Sequence, residues 1–219
     1  MTGWLRYIWN FKLYPETLYL TVNLIDRYLE KENVLRQHLQ LVGVTAMLIA
    51  SKYEEIYAPE VRDFVYITDK AYTKEEILSM EYKMLTTMEF NVTTPSSYRF
   101  LERIYKLCSK ADERVFNLSR YLIELSLVEY RMLKHHPSML ASAALFLSMK
   151  ILKKEDSEWT EKLKDATWFS EQQIRQCAKD LCILLQNIET WSLKAVKKKF
   201  SLSKFCEVSK IKLINSHKS

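Results

Sequence analysis

Apolar residues recur along this chain at helical spacing, and in one stretch they leave almost no polar face. From Leu39 to Ala50 (LQLVGVTAMLIA) only Gln40 and Thr45 are polar, and Gly43, Ala46 and Ala50 are small. A helix that is apolar nearly all round must be enclosed by other elements, and its small residues let those neighbours come close. Charge returns abruptly in Ser51-Lys52-Tyr53-Glu54-Glu55, and Pro59 stops any continuation. The pattern predicts a buried central helix that delivers a charged cluster to one place.

The flanking segments are amphipathic. Trp4, Tyr7, Ile8 and Phe11 predict a short first helix, which begins so near the first residue that it reads as cut short. Pro15 suits a first helical turn, and Leu18, Val22, Ile25 and Leu29 continue from it as a stripe. Pro59-Glu60-Val61 restarts a short helix through Phe64 and Val65. Thr73-Lys74-Glu75-Glu76 has the form of a capping box, in which the hydroxyl and the acid satisfy each other's backbone donors. The helix it opens carries Ile77, Met80, Glu81, Met84, Leu85 and Met88 on one stripe, and residues 91–95 (NVTTP) read as a linker.

The plan then repeats. Leu140 to Lys150 (LASAALFLSMK) matches Val42 to Lys52 (VGVTAMLIASK) at a shift of 98, and Ser170-Glu171-Gln172-Gln173 is a second capping box 97 residues after Thr73. Its helix carries Ile174, Cys177, Ala178, Leu181, Cys182 and Leu185; before it, Val115, Leu118, Tyr121, Leu122 and Leu125 mark another helix. Two copies of a five-helix unit are the economical architecture. The reading assigns residues 1–94 to the first, 95–190 to the second and 191–219 to a basic helix or tail, with AVKKKFSLSKF helical and KIKLINSHKS loose.

Composition narrows the class to all-α. Among 219 residues there are two Gly and four Pro, where average usage gives about 15 and 11. No apolar run reaches the roughly 18 residues that a membrane span requires, and MTGWLRYIWN does not read as a signal peptide, so a soluble, intracellular protein with no membrane partner is expected. The net charge of +6 is uneven: residues 191–219 hold eight Lys and one acid, leaving 25 basic and 26 acidic residues elsewhere. The body is therefore not basic, which argues against nucleic acid, and the Lys-rich tail is read as solvated, with weak attraction to phosphate as the alternative. Cys108, Cys177, Cys182 and Cys206 lack metal-type spacing and read as reduced core thiols. His135 and His136 precede Pro137 and diverge, so no metal site is assigned, and no cofactor is implied. The chain shows no nucleophile–base pairing, no Gly-rich phosphate loop and no HExxH motif. A binding subunit is expected, not an enzyme.

The repeat also supplies an internal control. Lys52 has a counterpart in Lys150, but Glu81 corresponds to Ala178. An acid on an apolar stripe is costly unless paired or facing an opening. Either Glu81 sits at the stripe's edge and reaches water, or Lys52 and Glu81 converge at the rim of the first unit to serve a partner, with Glu54 and Glu55 as further acceptors and Tyr53 as an amphipathic anchor.

The stretch from Leu39 to Phe90, with KLYPETLYLTVNLIDRYL before it, resembles the cyclin box of the A/B-type mitotic cyclins. TPSSYRFLERI, SRYLIELSLVEYRML, HPSMLASAALFLSMKIL and AVKKKFSLSKFCEVS resemble that family's second cyclin fold. The resemblance implies two tandem five-helix cyclin folds and a non-catalytic subunit that binds and activates a cyclin-dependent protein kinase in the nucleus and cytoplasm. It casts Lys52 and Glu81 as the family's anchor for the kinase, Ile49, Tyr53, Leu85, Phe90 and Val92 as the apolar pocket for the kinase's mobile helix, and Glu54 and Glu55 as further contacts.

The family's second site is a shallow groove for substrates and inhibitors with a basic–x–hydrophobic motif, and Trp4, Arg36, Leu39, Gln40 and Tyr66 match it. The segment that precedes the Trp in the family is missing here, and Tyr7 stands where an acid is common, so weak docking is expected; alternatively Trp4 merely packs the first helix. The family's long N-terminal extension is likewise not present before Trp4, which fits a fragment or a protein degraded and docked differently. The rival readings are a transcription-type cyclin, a relative of general transcription factor B, and a kinase-free scaffold.

Overall fold

The structure, a computed structural model, describes residues 13–108, 112–153, 159–188 and 194–211. The described residues form α-helices and short 3₁₀ turns without strands. They belong to two compact units that divide between Thr94 and Pro95.

In the first unit the helices are α1 (Pro15–Lys31), α2 (Leu39–Glu54), α3 (Val61–Ile67) and α4 (Lys74–Thr87). The helix expected over Trp4 to Phe11 lies outside the described residues. Every residue of α2 from Leu41 to Ser51 is buried, as its all-round apolar pattern requires. Around it pack α1, α3 and α4. The first-unit core joins Leu24, Tyr28, Val42, Ala46, Ile49, Met84 and Met88. At α4 the capping box forms as the sequence predicts: Glu76 N–H donates to the Thr73 hydroxyl at 3.2 Å, and Thr73 N–H donates to the Glu76 carboxylate at 2.7 Å. A cap that sequence reading missed opens α3, where Glu60 N–H donates to Asp63 at 2.8 Å.

One stripe differs from expectation. On α1, Leu18 and Ile25 are buried, but Val22 is only half-buried and Leu29 is exposed, while Leu20, Leu24 and Tyr28 are buried. The cause is that α1 packs against both α2 and α4, so its buried arc is wider than a four-residue stripe and turned toward Tyr28. Thr21 enters this interface at little cost because its hydroxyl donates to the Thr17 carbonyl at 2.6 Å.

The second unit holds α5 (Ser97–Tyr105), α6 (Glu113–Ser126), α7 (Pro137–Ile151), α8 (Glu161–Thr167) and α9 (Glu171–Asn187), followed by α10 (Ala195–Phe200). The helices beginning at 113, 137, 161 and 171 follow those beginning at 15, 39, 61 and 74 in the same order and at nearly constant offset. The repeat inferred from spacing is therefore a repeat of structure. Val115, Leu118, Tyr121, Leu122 and Leu125 are all buried on α6, and the Ser170–Gln173 capping box is formed. Cys177 is 1% exposed, and burial pushes its thiol up to about 12, as an inert core residue requires. His135 is tied to Asp180, with Nε2 2.9 Å from the carboxylate. Among the described residues no cluster of His, Cys, Asp and Glu is suited to a metal, and no helix is long and apolar enough to cross a membrane.

The basic tail is not wholly solvated, contrary to expectation. Lys199 on α10 places its ammonium 2.6 and 2.7 Å from the two carboxylate oxygens of Glu124 on α6, and these side chains are 12% and 2% exposed. Burial pushes the lysine down while the glutamate holds it charged. The ammonium lies over the rings of Phe200 and Phe205, which are tilted against each other, and Phe200 in turn meets Tyr121. Sequence reading treated the tail as a charge run, and an acid hidden on α6 gave no signal that one lysine of the run was its counterion.

Removing one partner of a buried pair leaves a charge without compensation and costs about 3–5 kcal/mol. Glu124→Ala is expected to destabilise the second unit by that amount in urea unfolding, whereas Glu124→Leu combined with Lys199→Met should cost far less. In the first unit, Glu55 closes the start of α1, which has no side-chain cap of its own. Its Oε1 accepts from Tyr14 N–H at 2.7 Å and from the Thr17 hydroxyl. Glu55→Ala should therefore lower stability by about 0.5–2 kcal/mol, the usual loss for a helix cap, in the same measurement.

Candidate functional site

Being buried from Leu41 to Ser51, α2 can present polar groups only at its ends. At its C-terminal end Lys52 is the first side chain to reach solvent. Its ammonium meets both carboxylate oxygens of Glu81, each at 2.8 Å. Glu81 projects from the middle of α4, which packs against α2. The Lys52 side chain is 48% exposed and that of Glu81 13%, so the pair sits at a rim: the acid lies low, the ammonium stands above it. Of the two sequence alternatives for Glu81, convergence with Lys52 is the one found.

The segment after α4 meets the same rim. Tyr53 is half-exposed, and its hydroxyl is hydrogen-bonded to the Thr93 hydroxyl. Glu89 and Phe90 both take left-handed backbone conformations, with φ of 53° and 57°. Two successive residues with a Cβ in that region cost about 1–2 kcal/mol each. The turn is held by Phe90 N–H donating to the Leu85 carbonyl at 2.8 Å, and by Arg27, whose guanidinium donates to the Asn91 carbonyl at 2.6 Å. The result is a Phe90 side chain 65% exposed to solvent. Leu85, half-buried, packs on the first-unit core.

Two residues assigned to the pocket are placed differently. Ile49 is 4% exposed and Val92 9%, and both belong to the core of the first unit. Ile49 lies beneath the surface because α2 is enclosed as far as Ser51, and Val92 because the segment after α4 packs it into the same core. Leu85 packs against the cluster that contains both. Glu55 is also diverted, since its Oε1 closes α1. Glu54 is half-buried at the end of α2. Sequence reading missed Tyr82, adjacent to Glu81 and 71% exposed, and Ile56 and Tyr57, which are 77% and 92% exposed just beyond α2. The available signal was their position beside the charged cluster, outside any apolar stripe.

Of the residues matched to the shallow groove, Trp4 lies outside the described residues, as does Tyr7. Arg36, Leu39 and Gln40 are exposed where a 3₁₀ turn leads into α2, and Tyr66 is exposed on α3. The helices that bear them, α2 and α3, pack together.

Comparison with known proteins accounts for this architecture. Residues 3–93 match the family model for the cyclin N-terminal domain and residues 95–213 that for the cyclin C-terminal domain. The chain is 47% identical over 99% of its length to the G2/mitotic-specific cyclin-B of Hydra vulgaris, covering 60% of that protein. It is 44% identical over 96% of its length to Cyclin-B2-1 of Arabidopsis thaliana, covering 50% of it. The chain thus spans about half to three-fifths of the curated relatives it matches. Among solved structures, a viral cyclin from herpesvirus saimiri superimposes with a TM-score of 0.71 at 19% identity, over 84% of this chain and 83% of that one. A chain of the CAK complex of Chaetomium thermophilum bound to ATP-γ-S gives 0.64, also at 19% identity, over 93% and 69%. At that identity the two structures speak for the fold alone. With family models covering both units and B-type mitotic relatives at such identity along nearly its full length, the chain belongs to the cyclin family.

Proposed function

We propose that this chain is the non-catalytic regulatory subunit of a cyclin-dependent serine/threonine kinase in mitotic control, working in the nucleus and cytoplasm. The observation that carries the reading is the Lys52–Glu81 pair set at the rim of the first unit beside exposed aromatic residues. With the Lys52 ammonium half in solvent, such a pair contributes on the order of 1 kcal/mol to folding. The second unit repeats the four described helices of the first with Ala178 in the place of Glu81. The acid is therefore dispensable to the fold, and a role toward a partner explains its presence.

The partner in this reading is the kinase's mobile helix. Tyr53, Leu85 and Phe90 offer it apolar area, with Ile49 and Val92 underneath, while Lys52 and Glu81 fix its register through their remaining hydrogen-bonding capacity. Glu54 lies within the same rim, and Glu55 contributes chiefly by holding α1. A protein kinase needs an ion pair between a strand lysine and the glutamate of that helix. A rigid surface that binds only the inward helix raises the active population through its differential affinity, and a shift from 1:99 to 99:1 takes about 5.5 kcal/mol. The strained turn at Glu89 and Phe90 supports this: it holds an aromatic ring in the open before any partner arrives, so little ordering is lost on binding. Arg36, Leu39, Gln40 and Tyr66, with Trp4, are proposed as a weak docking groove for substrates or inhibitors carrying a basic–x–hydrophobic motif. The near-neutral body supports a protein partner over nucleic acid.

Lys52→Ala and Glu81→Ala are each expected to reduce histone phosphorylation by the co-purified kinase at least about tenfold, equivalent to about 1.4 kcal/mol, with the helical circular-dichroism signal unchanged. Normal activation by both variants would refute the assigned surface, and failure to co-purify any kinase would refute the function.

A further inference from the structure

The duplicated plan means that the surface beside Lys52 and Glu81 has a counterpart in the second unit. There α7 carries Lys150 in its last turn, as α2 carries Lys52, and α9 carries Ala178 and Cys182 where α4 carries Glu81 and Leu85. Between α7 and α9 lies an open groove of about 360 Å³, bounded by Phe146, Leu147, Ala178 and Cys182 and edged by Lys150 and Arg175. Leu147 and Cys182 are half-buried, so they remain in part open to contact.

The charges at its edge do not balance. Arg175 is neutralised by Glu171, 2.6 Å away on the same helix. Lys150 is exposed, and its ammonium lies 5.4 Å from the centre of the Phe146 ring. Among the described residues it has no carboxylate at ion-pair distance; the position that supplies one to Lys52 is occupied here by the methyl group of Ala178. Lys179, also exposed, adds a second positive charge at the groove. An apolar floor between two helices with uncompensated ammonium groups above it matches the way a partner's amphipathic helix is received, apolar face down and charged flank at the rim.

We propose that this groove docks an acidic amphipathic helix of another protein. Its aliphatic side chains would rest on Leu147, Phe146 and Cys182, and one of its carboxylates would take Lys150, the role Glu81 fills internally in the first unit. The site belongs to the second unit and does not depend on the kinase-binding reading of the first. Charge selects the sign of the helix, since a basic one would bring like charges onto Lys150 and Lys179.

The test titrates the full chain with a panel of fluorescein-labelled acidic amphipathic peptides of about 16 residues, enough for four helical turns, with leucines at i, i+3, i+4 and i+7 and flanking glutamates. The same peptides with lysine in place of glutamate serve as controls. At least one acidic peptide should bind about tenfold or more tighter than its basic counterpart. Ala178→Glu supplies Lys150 with an internal partner and should weaken that binding about tenfold. The first unit already accommodates a glutamate at this place in the fold, and unchanged circular dichroism verifies that the variant is folded. Lys150→Glu should weaken binding further, whereas Lys52→Ala should leave it unchanged. Absence of binding across the panel at millimolar peptide, equal binding of acidic and basic peptides, or full binding by folded Ala178→Glu would each overturn the proposal. Self-association in sedimentation that Ala178→Glu abolishes would assign the groove to a second copy and equally overturn it.

Discussion

A helix whose residues are buried continuously from Leu41 to Ser51 has no side on which to carry chemistry. Its neighbours must cover it completely, which fixes α1, α3 and α4 around it, and its polar groups can leave only where the enclosure stops. That constraint places Lys52 at the first open position and sets Glu81, on the enclosing α4, within reach of it. The rim is thus a consequence of the core.

The two units express the same constraint with different outcomes. Both bury a small-residue-rich helix, both carry a lysine in its last turn, and both open a later helix with a capping box. Where the first unit answers the lysine with its own carboxylate, the second leaves the ammonium above a phenylalanine ring. A methyl group in place of a carboxylate changes little about how the helices pack, because either lies at the margin of the buried face. It changes a great deal about which external groups each unit attracts.

Electrostatics inside the second unit follows another logic. Glu124 and Lys199 are almost wholly buried, with the Lys199 ammonium over the Phe200 and Phe205 rings, and the attraction between the two charges offsets part of their desolvation. The pair pins α10 to α6, so part of the segment from which the chain's positive charge comes belongs to a packed domain. Charge counts along a sequence measure the sign of a segment; they do not report which of its members is a counterion.

The helices were legible in the sequence wherever a local rule governs them. The capping boxes at Thr73 and Ser170 are satisfied within four residues, Pro15 and Pro137 sit where a missing N–H costs nothing, and the run from Leu41 to Ala50, apolar but for Thr45, has only one stable placement. The duplication, and with it the contrast between Glu81 and Ala178, was also legible, because equal spacing of caps and stripes survives in the chain itself. What tertiary structure alone decided is which side of an interface each residue faces. Ile49 went under the surface because the enclosure of α2 extends past it, and Val92 because it packs into the same core; Glu55 turned to close α1, about forty residues away in the chain; Lys199 found Glu124 across 75 residues. These outcomes depend on how far apart helices pack and which ends they bring together, and periodicity within a single helix carries no information about either.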